Sequence, residues 1–405
     1  MMRILSLVAI LMVVNQSSAA EPSGYAVHEW GVFRVNSLAE YANAELRAEW
    51  DDLPPFIYGL IKGRAVPQHW GALEIRRKPI VFFHADKPVQ VRAEVAFPGG
   101  QAGVWYPATE SPAVFGNQKQ PREADKLVWT LGIKQLPDGW RPKTPQPPAV
   151  AAEHWINRIR EVKSDMIFSR YSPNVLDVEQ EKFLYYDGIF PQGKWLTVNV
   201  TKENVSLKSN VKHPMFDLMI VDRRDDGLRV GRVAELNAGE AVAKVEFTNE
   251  DTAAFTAKAA TAMRQQLTAA GLNDDEAASL VDLWKKEFFE TPGLNLFYRL
   301  PQAEYDARLP LTLTPPADKR VRVGLVYHAH LEPDFAERIR DLAKQLDSVK
   351  FAERDAAARK LQQIGPAAMV ELMKLREQRN LSAELRDRLD SLIKRWNVRD
   401  GYEKP

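Results

Sequence analysis

Between Tyr25 and Ala234 the apolar positions recur mostly with a period of two. Val89, Val91, Ala93, Val95 and Phe97 alternate with Gln90, Arg92, Glu94 and Ala96, the pattern of a half-buried strand. Pro79 to His84 is a more continuous apolar run, and Lys87-Pro88 marks a turn between the two. Trp195–Val200 and Val205–Val211 flank Thr201-Lys202-Glu203-Asn204, which predicts a hairpin. A second hairpin is predicted from Met215–Val221 and Leu228–Ala234, joined by Asp222 to Gly227 and closed by Asp-Gly. Leu136 to Ala149 holds five prolines, each of which fixes φ and removes a donor, so it reads as an extended linker or surface loop. Ala152, Trp155, Ile159 and Val162 then recur at helical spacing and predict a short amphipathic helix.

The period changes at Thr252. Phe255, Ala259, Ala262, Met263 and Leu267 line one helix, which Gly271 ends. Asn273 caps a second, with Asp274, Asp275 and Glu276 in its first turn and Ala277, Leu280, Val281, Trp284 and Phe288 as its buried stripe. Leu294–Leu300, Leu311–Thr314 and Val321–Tyr327 return to strand character and are expected to rejoin the earlier sheets, which makes the helical hairpin over 252–289 an insertion. From Pro333 onward the chain is helical, with one-sided stripes built on Phe335, Ile339, Leu342 and Leu346, on Phe351, Ala358, Leu361 and Ile364, on Met369, Leu372 and Met373, and on Leu385, Leu389, Leu392, Ile393 and Trp396. The expected fold is therefore α+β: a mainly antiparallel, sandwich-like β-body over residues 21–332 and an all-α segment over 333–405.

The first twenty residues read as a secretory signal peptide: Arg3, the apolar run Ile4–Val14 broken only by Ser6, and small residues Ser18-Ala19-Ala20 before Glu21. The run is too short to span about 30 Å of hydrocarbon as a helix, and no later segment is apolar enough, so export to the periplasm or the exterior is expected, with no integral membrane segment after cleavage. The 405 residues contain no cysteine, which excludes disulfides, thiolate nucleophiles, iron–sulfur clusters and zinc ribbons. Fifty-five Lys and Arg balance 54 Asp and Glu. That argues against nucleic acid as the main partner, because such binding needs a basic surplus.

Candidate chemistry is sparse. His28-Glu29 invites an acid–base or metal reading, but neighbours on a strand point to opposite faces, so the two cannot grip one ion; His28 is expected to be satisfied locally beside Trp30. His328-Ala329-His330-Leu331-Glu332 has the best metal-like spacing, because continued alternation puts His328, His330 and Glu332 on one face and such a set suits zinc or ferrous iron; Pro333, immediately after, weakens that alternation. His84 and Asp86 share a face just before a turn, His213 precedes Pro214 in a loop, and Pro98–Gly103 lacks the Gly-Lys-Ser/Thr ending of a phosphate loop. No cofactor motif is recognised. Of the ten tryptophans, Trp155, Trp284 and Trp396 fall on apolar stripes, whereas Trp50, Trp70, Trp105 and Trp140 lie near Pro, Gly or charged residues; Trp70 and Trp105 are candidate platforms for sugar rings.

His28-Glu29-Trp30-Gly31-Val32-Phe33 resembles the opening motif, His-Glu-Trp-Gly-x-Phe, of a family of uncharacterised secreted bacterial proteins. Glu181 to Gly188 is similar to its middle motif, and Trp284 to Glu290 with Leu296 to Pro301 to its later one. The resemblance implies a common fold over most of residues 25–330 and carries no activity. Phe351–Leu361, Ile364-Gly365-Pro366-Ala367-Ala368 and Ser382–Leu392 are similar to a HEAT-like helical repeat, which implies contact with another protein through the C-terminal helices. The expectation is an exported, non-catalytic binding or structural protein. A metal-dependent hydrolase using His328 and His330, and a glycan-binding module using exposed tryptophan, are the alternatives.

Overall fold

The computed structural model describes residues 22–36, 53–59, 73–111, 124–135, 147–169, 178–191, 194–224, 227–378 and 380–397. The expected signal peptide, Trp50, Trp70, Trp140 and most of the proline-rich segment lie outside these residues, as does the side chain of Trp396. Strand β1 (Tyr25–Asn36) runs near the middle of a ten-stranded sheet. On one side it pairs antiparallel with β3 (Leu73–Ala85), followed by β9 (Phe183–Pro191), β5 (Gln101–Tyr106) and β2 (Tyr58–Gly59). On the other it pairs in parallel with β18 (Lys319–His328), followed by β16 (Gly293–Leu300), β12 (Met215–Arg224), β13 (Gly227–Leu236) and β15 (Phe247–Asn249). The late strands β16 and β18 thus close the middle of the sheet, as the strand-like returns after residue 290 imply.

A five-stranded sheet holds β17 (Leu311–Thr314), β4 (Val89–Ala96), β6 (Lys126–Ile133), β7 (Ile167–Ser169) and β8 (Glu179–Glu181) in that order. The turn at Lys87-Pro88 is therefore a corner: β3 and β4 follow one another in the chain and lie in different sheets. A third sheet, β10 (Leu196–Val200), β11 (Val205–Ser209) and β14 (Ala241–Val242), contains the first expected hairpin. The second hairpin has a tighter turn than its sequence suggests. Pairing continues to Arg224 opposite Gly227, and Asp222 stays in the strand because Arg224 and Arg229 neutralise its carboxylate.

Side chains alternate across β1. Its odd positions face the sandwich interior: Tyr186 of β9 touches Phe97 and Trp129 on that side and its hydroxyl meets Glu29, while Phe33 packs on Trp195 and Tyr305. Its even positions face the helical hairpin formed by α2 (Thr252–Ala269) and α3 (Asp274–Glu290), preceded along the chain by the short α1 (Trp155–Arg160). Gly271, at φ 108°, makes the left-handed link between α2 and α3. The stripe Ala277, Leu280, Val281, Trp284 and Phe288 is buried, and each large side chain in it contributes about 1.5–3 kcal/mol. The sandwich is thus covered on its outer face by the hairpin. A short α4 (Gln302–Arg308), unforeseen in the sequence, lies between β16 and β17.

Helices α5 (Phe335–Gln345), α6 (Phe351–Ile364), α7 (Met369–Arg376) and α8 (Ala383–Asn397) have a hydrophobic cluster of their own, centred on Ile339, Leu361, Leu372 and Leu389. Two positions depart from the expected stripes. Phe351 is 71% exposed and Met373 45% exposed, because α6 turns on Ala357, Leu361 and Ile364 and α7 on Met369, Leu372 and Leu375. No described helix is long and apolar enough to cross a membrane.

Candidate functional site

His28 sits on the hairpin face of β1. The β1–β3 register sets His28 opposite Phe82 and Ala26 opposite His84, so the two histidines are diagonal neighbours on one face. Their rings lie 4.9 Å apart. Glu276, third residue of α3, reaches down between them. Its Oε2 lies 2.8 Å from His28 Nδ1 and its Oε1 2.8 Å from His84 Nε2. The same carboxylate accepts the Asn273 amide at 2.7 Å, completing a capping box. Burial works against the Glu276 charge, but the hydrogen bonds from His28 and His84 outweigh it and hold the carboxyl down at about 2. His28 and Glu276 are buried, while the side chain of His84 is 23% exposed. His84 borders a cavity of about 360 Å³ that Asp86, Asp165 and Asp318 also line.

This overturns the local reading of His28 and the ordinary reading of His84. The partner of His28 is 248 residues away in the chain, beyond the reach of any spacing argument. One signal is present: a glutamate three residues past a helix cap, in a hairpin that must lie on a strand carrying His28.

Glu29 points the other way, as alternation requires. It faces Arg322 across the parallel β1–β18 pair, with Oε2 2.7 Å from Arg322 Nε and both side chains fully buried. The hydroxyls of Tyr186 and Tyr305 both donate to its Oε1. Arg322 also stacks on the Tyr305 ring and reaches Asp306 at 2.7 Å. The motif on β1 and the motif on β9 therefore meet through Glu29 and Tyr186.

His328, His330 and Glu332 do not form a common donor face. His328 ends β18 on the sandwich side, 3.5 Å from the Tyr298 hydroxyl, and burial pushes its imidazole down to about 4. The strand stops there. His330 takes a left-handed conformation, φ 53°, and stacks on Phe335 at 4.2 Å. Its ring nitrogens make no well-formed hydrogen bond among the described residues, and burial, with Arg34 and Arg338 nearby, holds it well below the usual histidine range. Glu332 turns back to accept the Leu294 amide at 2.8 Å and pairs with Arg338 at 2.8 Å. Trp105 is fully buried and stacked beside Tyr58, which removes it as a surface platform for sugar.

A larger concavity lies where the β-body meets the C-terminal helices. Its volume is about 1430 Å³, and among the described residues eight basic and three acidic side chains line it. Several of the basic groups are already matched: Arg224 and Arg229 by Asp222, Arg34 by Glu287, and Arg338 by Glu332. Lys202 and Lys286, both exposed, form no ion pair among the described residues. Arg223 donates Nε to the Phe289 carbonyl at 3.1 Å and has one buried guanidinium nitrogen with no hydrogen-bond partner among the described residues. Leu342, Ile364 and Pro366 supply an apolar wall from the helical side.

No protein-family model matches the chain, and a comparison with curated proteins finds no match. Among solved structures, the chain is similar to a yeast delta-COP-I mu-homology domain complexed with a Dsl1 WxWxV peptide, at 6% identity and a TM-score of 0.28, covering 76% of this chain and 98% of that one. A resemblance at that level assigns neither fold nor ligand.

Proposed function

We propose that this is an exported, non-catalytic binding protein whose partner inserts an acidic segment into the cleft between the β-body and the C-terminal helices. The observation that carries the reading is the basic lining of that cleft, where Lys202 and Lys286 stay exposed with no ion pair among the described residues beside four arginines already matched by carboxylates, in a chain that is balanced as a whole, 55 to 54. Its size favours a stretch of polypeptide over a small molecule: about 1430 Å³ exceeds the roughly 300–1,000 Å³ of ordinary small-ligand sites. The mixture of lysine, arginine and an apolar wall suits a segment carrying both carboxylates and a few apolar anchors. The four C-terminal helices would act as a HEAT-like contact element, closing one side of the groove.

The test is binding of fluorescent peptides rich in Asp and Glu, titrated against the purified chain at two salt concentrations. Binding is expected to weaken with salt and to fall about tenfold or more in the double variant Lys202→Glu, Lys286→Glu, whose exposed positions leave the fold intact. Equal binding by the variant, or turnover of a broad hydrolase substrate panel above the buffer rate, would refute the reading.

A further inference from the structure

We propose that His28, His84 and Glu276 form a binding site for one divalent transition-metal ion, zinc being the best match. Three donor atoms from β1, β3 and α3 lie within 4.8 Å of one another. Two imidazoles and one carboxylate are the ligand types that zinc and ferrous iron accept with a position left open. The atoms that now share hydrogen bonds are the atoms that would ligate: Nδ1 of His28, Nε2 of His84 and the two oxygens of Glu276. Around an ion at about 2.0–2.2 Å from each donor, tetrahedral donors sit about 3.4 Å apart. The 2.8 Å contacts would open slightly, and the most widely spaced of the donors, now within 4.8 Å of one another, would draw together.

The surroundings favour a cation. Glu276 is fully buried, and among the described residues its ion-pair partners are the two histidines alone, with neither lysine nor arginine beside it. A buried carboxylate held by two imidazoles and one backbone amide is stabilised further by a dication, with each neutral imidazole then carrying its proton on the ring nitrogen that faces away from the ion. Access exists on the His84 side, where the 360 Å³ cavity is bordered by Asp86, Asp165 and Asp318. Those carboxylates raise the local cation concentration and leave room for a water in the open position. The site is independent of the proposed peptide cleft. Glu276 lies near the start of α3 and Glu287, which lines the cleft, near its end, about 17 Å apart at 1.5 Å per residue.

A purely structural triad makes a different prediction, since it staples the helix to the sheet without any ion. The experiment strips the full-length chain with chelator, then titrates it with Zn²⁺ by calorimetry and with Co²⁺ by visible absorption. Two variants accompany it: His84→Ala, at a partly exposed position, and Glu276→Gln, which keeps the capping box because glutamine serves there equally. The expected result is one ion per chain, a Zn²⁺-dependent rise in the melting temperature, intense low-symmetry Co²⁺ bands, and affinity at least about tenfold weaker in each variant, since loss even of an outer-shell partner costs 10–100-fold. Absence of binding to the wild-type chain, or wild-type affinity in both variants, would overturn the site. Circular dichroism of the stripped variants separates lost ligation from lost folding, and a folded variant that still binds with wild-type affinity counts against the proposal.

Discussion

Glu29 and Arg322 are buried opposite one another, and neither has water to fall back on. Removing two charges from solvent costs several kcal/mol each, so the pair holds only because the remaining lone pairs are also engaged, by Tyr186 and Tyr305. Burial opposes the Arg322 charge, but the attraction and hydrogen bond of Glu29 together with the Tyr305 and Tyr186 hydroxyls outweigh it, and the guanidinium is held well above its ordinary value. The balance is fragile in one direction. Arg322→Met leaves a buried carboxylate without its cationic partner, and is expected to lower the unfolding free energy by about 3–5 kcal/mol. The double variant Glu29→Gln, Arg322→Met removes both charges and is expected to recover part of that loss. Urea denaturation of the three chains measures it; a double variant less stable than Arg322→Met by the full effect of a second lesion would show that the two residues do not act as a pair. Alternation along β1 already separates His28 from Glu29 in the sequence. The identity of their partners is not there, because it depends on which strands flank β1, and Arg322 lies 293 residues away.

At the scale of elements, the joint between α3 and β16 is tightly packed. Gly293 has φ 110°, and a Cβ there would lie 2.5 Å from Glu332 Oε1. Glu332 cannot swing aside, because the Leu294 amide and Arg338 hold it. Gly293→Ala therefore combines left-handed strain with a clash, and a loss of about 2–4 kcal/mol is expected in thermal or urea unfolding; a change below about 0.5 kcal/mol would mean that the Glu332 contact gives way freely. The helical hairpin is legible in the amino-acid order alone: the stripes of α2 and α3, the Gly271 stop and the Asn273 cap are all local signals. So are the hairpin β10–β11 and the strand character of β16 and β18. The corner between β3 and β4 is not, since a turn of Lys87-Pro88 looks the same whether the strands pair or part. Nor is the end of β18. His328, His330 and Glu332 alternate in sequence, but the backbone turns left-handed at His330 and breaks the face. The cluster His28–His84–Glu276 is hidden for the same reason: each residue is ordinary in its own element, and only the β1–β3 register and the docking of α3 bring them together.

Among the described residues the molecule carries two hydrophobic clusters. One runs through the sheets and the helical hairpin; the other is confined to α5–α8. Between them lie the basic cleft and a short list of specific contacts, chiefly His330 stacked on Phe335 and Glu332 paired with Arg338. Stability of a cooperative unit comes mainly from its own buried apolar surface, and units joined by few contacts open separately. The chain is therefore expected to unfold in two calorimetric transitions, with the helical unit melting first because its core is smaller. Arg338→Ala, which frees Glu332 at the joint, should lower the first transition and leave the second nearly unchanged. A chain ending at residue 332 should retain the second transition alone, at a slightly reduced temperature, since it exposes His330 and Glu332. A single transition whose calorimetric and van't Hoff enthalpies agree over the whole chain would contradict this. It would mean that the cleft is a rigid groove within one unit, so that a partner docking there stabilises the body and the helices together.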